Sequence, residues 1–570
     1  MADEPLDWSE GAPRSRRFDD IYFSATNGLA ESRAVFLEGA DLPAAWKGRR
    51  AFTVGELGFG TGLNILALVD LWAGTRPPEG RLHMFSVEGY PMGRDDAARA
   101  LAAWPELAGL AEVLLRQWPQ RRGFHRIDFP GQGATLDLAI GEVQPALEAW
   151  GGRADAWFLD GFAPARNPQM WSADILSLVG RRSAPGARAA TFTVAGAVRR
   201  GLEAAGFSVS KRPGFGRKRE RLEAVRPGAC DPQEPPPRVA VVGAGIAGAA
   251  LVRAFRALGV EPVVYEADAP GSGASGNPAA LVTPRLDAGL GLWAQIAAQT
   301  FGRAVRLYGP EVVIARGVMQ LAREPRDADR FARLAAWDGF DPGALVAGPE
   351  GLEFRDGLVV EPASVLETWL RGARVVPGRV AALKRDEGVW RLLDGDGGAL
   401  GEAEVVCLAA GHLTAGLADL GLRPVRGQAS WADLTFSGRP SAWGGYAIPT
   451  RNGMLFGATH DRGDLATETR PEDHVRNLEI LARGRPDLAR ALEGAVLHGR
   501  AGVRAATPDH LPLAGALGED LHVLTGLGGR GFTTAPLLAE QVAAVALGAP
   551  PPLPRALAAL LDPKRFGRGL

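Results

Sequence analysis

Apolar residues in the first two-fifths of the chain gather in short runs: AFTVGEL from position 51, RLHMFSVE from 81, ADAWFLD from 154 and ARAATFT from 187. Helical stretches separate these runs, and that alternation predicts an open, mostly parallel sheet with helices on both faces. A second series starts at Val239-Ala240-Val241-Val242, a buried-strand pattern that leads into a glycine loop and an amphipathic helix. Strands are also expected over Pro262 to Tyr265 and Glu404 to Leu408. From about 310 to 460 the pattern breaks into shorter strands and turns, as in a substrate-binding layer inserted into a nucleotide-binding domain. The fold class expected is α/β, with a doubly wound Rossmann-like domain first and a second Rossmann domain carrying an inserted mixed sheet.

Between the two series lies Cys230-Asp231-Pro232-Gln233-Glu234-Pro235-Pro236-Pro237, whose successive prolines favour an extended spacer and forbid a helix. The expected domains are therefore 1–230 and 238–570, joined by a linker over 231–237. At 570 residues the chain exceeds what one core usually organises, which agrees with two domains.

Composition narrows the class. The apolar share of 46%, the charged share of 23% and a mean hydropathy of -0.03 are those of an ordinary folded protein. The N-terminal stretch is acidic and lacks an apolar core segment, and no run of about 18 apolar residues occurs. A cytoplasmic protein without membrane contact is expected. Two cysteines, Cys230 and Cys407, support neither a disulfide framework nor a paired-cysteine metal site. A net charge of -1 gives no global reason to bind DNA or RNA, so any RNA contact must be local.

The first glycine loop reads Glu56-Leu57-Gly58-Phe59-Gly60-Thr61-Gly62-Leu63-Asn64 and turns into an apolar helix from Ile65 to Leu71. Gly58, Gly60 and Gly62 would let the backbone approach a ligand, and the helix start offers free N–H groups. The leading Glu56 would repel phosphates but suits a cationic sulfonium and an ammonium. Glu88, closing the second strand, could grip a ribose diol. Together these favour S-adenosylmethionine over a nicotinamide cofactor. Asp160 ends a third strand at the carboxyl edge of the sheet, where ligands bind in such folds, and can take a hydrogen bond or proton from an amine nucleophile.

The second loop, Gly243-Ala244-Gly245-Ile246-Ala247-Gly248, has the strand before and helix after that a dinucleotide fingerprint requires. Glu266 follows at about the 20-residue spacing of a ribose-binding acid. The loop alone leaves NAD and FAD open. The small-residue segment around Ser275, the strand end at Gly411 and the C-terminal loop Gly528-Gly529-Arg530-Gly531-Phe532-Thr533 favour FAD, held without a covalent bond. The last loop precedes an apolar helix expected to carry Pro536 in its first turn. The FAD-binding parts expected are about 238–310, 375–425 and 500–570.

Tyr22-Phe23-Ser24, Asn27-Gly28-Leu29, the Glu56 to Asn64 loop, DAWFLDGFAPARNPQMW from Asp155 and Pro213-Gly214-Phe215-Gly216-Arg217-Lys218-Arg219-Glu220 resemble the MnmC family of bifunctional tRNA wobble-uridine modification proteins. The later segments are similar to the D-amino-acid and glycine oxidase superfamily and to the oxidoreductase half of the same family. The resemblance implies that the second half removes the carboxymethyl group of 5-carboxymethylaminomethyluridine and that the first half methylates the resulting amine. It also implies that Arg504 anchors the substrate carboxylate, although Ala505 replaces the proline usual after that arginine. Arg530 is a second choice for this anchor, and Tyr446 and Arg426 are expected to line the site. The basic cluster Lys211, Arg212, Arg217, Lys218, Arg219 and Arg221 becomes a tRNA phosphate contact, with Arg121, Arg122, Arg199 and Arg200 as weaker additions. A monomer is expected. A metabolic amine oxidase fused to an N-methyltransferase, and a non-catalytic tRNA chaperone, stay open as rivals.

Overall fold

The computed structural model describes residues 5–8, 11–24, 27–216, 218–229 and 235–567. Most of the expected linker and the whole of Arg217 lie outside the described residues. The chain divides into two compact units, Met1–Pro235 with Pro552–Arg555, and Pro236–Pro551 with Ala556–Leu570. The short segment 552–555, expected in the second domain, thus groups with the first.

The first unit is built on an eight-stranded sheet. Its five central strands run parallel in the order Ser183–Thr191, Ala154–Leu159, Ala51–Leu57, Arg81–Glu88, Ala134–Ile140. Antiparallel strands close both sides: Gly123–Phe129 beyond Ala134–Ile140, and the hairpin Ser208–Pro213 with Glu220–Val225 beyond Ser183–Thr191. Strands covered on both faces read as near-continuous apolar runs because each alternate residue enters a different core. Phe52, Val54, Leu82, Met84 and Phe158 pack on one face with Trp46 and Trp72. Leu57, Phe85, Trp157 and Leu159 pack on the other, where Trp150 stacks on Phe85 at 4.4 Å.

The second unit has a six-stranded sheet in the order Val375–Pro377, Val263–Glu266, Val239–Val242, Val405–Leu408, Leu521–Thr525, Leu513–Gly518. The first five are parallel and the last is antiparallel. Cys407 is fully buried in the central strand. Beside this sheet stands a large mixed sheet that includes Val313–Leu321, Gly351–Val360, Arg423–Ala432, Tyr446–Pro449 and Met454–Gly457. Two of its strands come from segments expected in the FAD-binding parts. Ala280–Val282 pairs with Leu358–Val360, and His498–Ala506 pairs along the whole of Arg423–Trp431. Sequence pattern could not assign them, because a strand's choice of sheet is decided by partners far away in the chain. Among the described residues no helix is long and apolar enough to cross a membrane.

Candidate active sites

A cavity of about 810 Å³ opens in the first unit at the carboxyl ends of Ala51–Leu57, Arg81–Glu88 and Ala154–Leu159. Gly58, Gly60, Asn64, Glu88 and Asp160 line it. Glu88 Oε2 accepts the Gly60 N–H at 2.9 Å and its Oε1 accepts that of Tyr90 at 2.8 Å, so this acid fixes the glycine loop as well as facing the cavity. Gly58 sits at φ +92°, where a Cβ would also overlap the Asp160 carbonyl oxygen. The glycine is needed for the approach of two protein segments.

Asp160 is held by a relay of amide and hydroxyl. Asn64 Nδ2 donates to Asp160 Oδ2 at 2.7 Å, and Ser32 Oγ donates to Asn64 Oδ1 at 2.6 Å, which fixes the amide's orientation. Desolvation pushes the Asp160 carboxyl up to about 7, against the opposing pull of Asn64 and Lys218, with Glu31 and Asp20 adding to the rise. Ser32 was not legible in the sequence, since nothing local marks it.

Three expectations change here. Glu56 does not line the cavity: it is fully buried beneath the loop and accepts from Ser86 Oγ at 2.5 Å. Burial pushes its carboxyl well above the usual range, against the opposing pull of Ser86 and Asn64. Gly62 also stays off the cavity wall; it starts the helix Leu63–Thr75 in a left-handed conformation and packs near Phe59 and Leu114. Lys218, read as a phosphate contact, lines the cavity instead, with Nζ 4.2 Å above the Phe192 ring and 2.9 Å from Glu31.

The rest of the basic cluster is largely neutralised. Lys211 pairs with Glu220 at 2.8 Å, while Arg212 and Arg221 both reach Glu223. Arg219 has no ion pair among the described residues. Of the weaker additions, Arg121 is buried, Arg199 pairs with Glu203, and Arg122 lines the cavity.

In the second unit a cavity of about 1290 Å³ follows the carboxyl ends of the parallel strands. That exceeds the ~300–1,000 Å³ of a usual ligand pocket, which leaves room for a dinucleotide and a substrate together. Gly243, Gly245, Glu266, Ser275, Gly411, Gly528, Gly529, Arg530, Gly531 and Phe532 line it. Gly243 stands at φ +107°, and a Cβ there would lie 2.7 Å from the Ala409 carbonyl. Gly248 lies outside the lining, and a Cβ on it would overlap the Gly243 carbonyl. Glu266 Oε2 accepts the Ala244 N–H at 2.6 Å, and Ser275 Oγ accepts that of Ile246 at 3.0 Å. The loop around Ser275 is clamped by Arg500, whose Nη2 donates to the carbonyls of Gly271, Ser272 and Gly273.

Arg504 lines the same cavity with Tyr446 and His460 and has no carboxylate partner among the described residues. Burial raises the Tyr446 hydroxyl and the Arg504 charge pulls it down. Burial lowers His460, and Arg504 adds to that. Two expected lining residues are elsewhere. Arg426 is fully buried, bound to Asp473 at 2.5 Å and to the carbonyls of Ala466 and Glu468. Thr533 is buried behind the loop and donates to the Thr283 carbonyl at 3.2 Å. The helix of the C-terminal loop runs over Gly531–Ala546, which places Pro536 in its second turn.

Residues 105–227 match the sequence family described as S-adenosyl-L-methionine-dependent methyltransferase, and 238–545 match FAD dependent oxidoreductase. A Caulobacter sp. (strain K31) protein named tRNA 5-methylaminomethyl-2-thiouridine biosynthesis bifunctional protein MnmC is 57% identical, over 99% of this chain and 97% of its own length. A Maricaulis maris protein of the same name is 47% identical, over 98% of this chain and 96% of its own. Among solved structures, glycine oxidase from Geobacillus kaustophilus is similar with a TM-score of 0.48 and 23% identity, over 58% of this chain and 98% of that one.

Proposed function

This chain belongs to the MnmC family of bifunctional tRNA 5-methylaminomethyl-2-thiouridine biosynthesis proteins, and from that membership we infer how its two cavities divide the work. It is a tRNA-modifying enzyme with an S-adenosylmethionine-dependent methyltransferase unit and an FAD-dependent oxidoreductase unit. The second unit acts first. It oxidises the CH–NH bond of the carboxymethylamino group on the wobble uridine, and water then splits the imine to glyoxylate and a primary amine. The first unit methylates that amine.

In the second unit Gly243, Gly245, Ser275 and Glu266 hold the adenosine diphosphate part of FAD, and Gly411 with the Gly528–Phe532 loop holds its ring end. The glycine cradle and the ribose-facing acid on the cavity wall suit such a group. Bound FAD supplies a two-electron acceptor there. Arg504 binds the substrate carboxylate in two-point fashion, which fixes the carbon to be oxidised. Tyr446 and His460 complete that end of the cavity.

In the first unit Glu88 takes the ribose hydroxyls of S-adenosylmethionine, and Gly58, Gly60 and Asn64 bound its amino-acid end. An acid-lined cavity suits a sulfonium and an ammonium, and the cofactor supplies an electrophilic methyl group. Asp160 accepts the proton of the attacking amine on the oxygen that Asn64 leaves free. Asp160 on the cavity wall with one oxygen bound by Asn64 is the observation that carries this reading, and burial raises its carboxyl to about 7. The enzyme acts as a monomer in the cytoplasm, where its tRNA substrate is.

Mass spectrometry of wobble nucleosides from a strain lacking this chain tests the reading. Complementation with Asp160→Asn should accumulate the 5-aminomethyl nucleoside, and with Arg504→Ala the 5-carboxymethylaminomethyl nucleoside. Fully modified nucleoside in either strain would refute the assignment.

A further inference from the structure

We infer that the oxidoreductase unit grips the RNA backbone through a collar of basic side chains around the mouth of its cavity, formed by Arg285, Arg462, His460 and His510 with Arg530 inside. The inference rests on the tRNA-modifying reading above and adds the surface that the polymer meets. These residues come from four separate parts of the chain. His460, Arg504, Arg530 and Thr283 line the one cavity, Arg530 is bound to Thr283, and Arg462 and Arg285 follow His460 and Thr283 two residues on in the chain. Beyond burial, His460 feels Arg504, Arg462 and His510 as basic neighbours and Asp461 as an acidic one, and Arg530, beyond burial, feels Arg285. Arg285 Nη1 donates to the His510 carbonyl at 3.3 Å, and its guanidinium lies 4.6 Å over the Trp293 ring. Among the described residues the Arg530 guanidinium makes two long bonds, to the Thr283 carbonyl and hydroxyl at 3.3 Å each.

The neighbouring carboxylates are already committed. Asp461 is bound by Arg476 at 2.8 Å, Asp509 is bound by Nε and Nη2 of Arg565, and Asp287 accepts the Gly289 N–H. Arg285, Arg462, Arg504 and Arg530 have no ion pair among the described residues. Cations gathered without counterions repel one another, and a chain with a net charge of -1 has carboxylates enough to avoid this. An arriving polyanion relieves the repulsion. Arg504, set between Tyr446 and His460, serves the substrate carboxylate; exposed Arg285 and Arg462 are left for phosphodiesters flanking the target nucleotide. The two histidines add ring N–H donors. By contrast, the basic run at 211–221 in the first unit spends most of its charge on Glu220, Glu223 and Glu31.

The test uses the full chain with FAD bound, an Arg285→Gln/Arg462→Gln double variant, tRNA from cells lacking this activity, and the free nucleoside 5-carboxymethylaminomethyluridine. The tRNA Kd of the variant should weaken about tenfold or more, and the slope of log Kd against log salt should shrink by about two, one per lost contact. Its kcat/KM on the free nucleoside should stay within about twofold of the parent. An unchanged Kd and slope would overturn the collar. So would an equal loss on both substrates, or a larger loss of tRNA affinity in Lys211→Gln/Arg212→Gln. A parent chain whose tRNA affinity depends on the collar but which oxidises neither substrate would support the collar and defeat the proposed reaction.

Discussion

Asn64 occupies one oxygen of Asp160, so in the proposed reaction the other takes the amine's proton. A carboxyl raised to about 7 is protonated below that pH and accepts protons only above it. Methyl transfer at saturating substrate should therefore climb as pH rises through about 7 and then level. Lys218 holds this carboxyl down, so Lys218→Met should move the midpoint to higher pH and Lys218→Arg should keep it; a pH–rate profile of the methylation step reads both. The same shift has a cost in stability. A group whose folded pKa is raised above 3.8 loses stability as pH rises from there through about 7. Asp160→Asn should thus melt no lower than the parent at pH 8 while methyl transfer falls by about 10²-fold or more. The place of Asp160 on the cavity wall was legible because a strand end in this fold is a ligand edge. The burial of Glu56 and the contacts of Lys218 were not legible because their surroundings, Ser86 for one and Phe192 with Glu31 for the other, come from remote segments.

At the scale of one element, the helix Gly531–Ala546 shows what sequence hides. Proline at position 536 cannot donate to the carbonyl four residues earlier, so Phe532 would keep an orphan acceptor inside the fold. Tyr308 fills that place: its hydroxyl donates to the Phe532 carbonyl at 2.6 Å, and burial drives this phenol well above its ordinary range. Tyr308→Phe should cost about 1–3 kcal/mol, the usual penalty of an unpaired buried polar group, measured by denaturant unfolding of the flavin-loaded chain. The same helix is tied further along by Glu540, which receives Arg303 through two nitrogens and Arg253 at 2.5 Å. The glycines before the helix gave away its loop but concealed its first residue, because Gly531 belongs to both motifs.

Across the whole molecule, the two glycine loops and the proline-rich break showed two nucleotide-binding units, and both sheets have the parallel order such loops require. What the pattern could not show was membership: Ala280–Val282 and His498–Ala506 look like any short strand until their partners are known. Each unit has its own core, so calorimetry should resolve two transitions. S-adenosylhomocysteine should raise one and FAD the other, each by about 2.7 kcal/mol at a hundredfold excess over Kd; a single transition moved by both ligands would contradict this. The first unit's sheet is open, and its outermost strand, Ser208–Pro213, leaves five of six residues exposed. Such a rim is a template on which another chain's strand can lay itself down. Lys211, Arg212 and Pro213 sit there, and charge and proline are what discourage that addition. Their worth is then colloidal: Lys211→Val/Arg212→Val should leave methyl transfer near the parent rate yet turn concentrated solutions cloudy on mild warming, as light scattering would record.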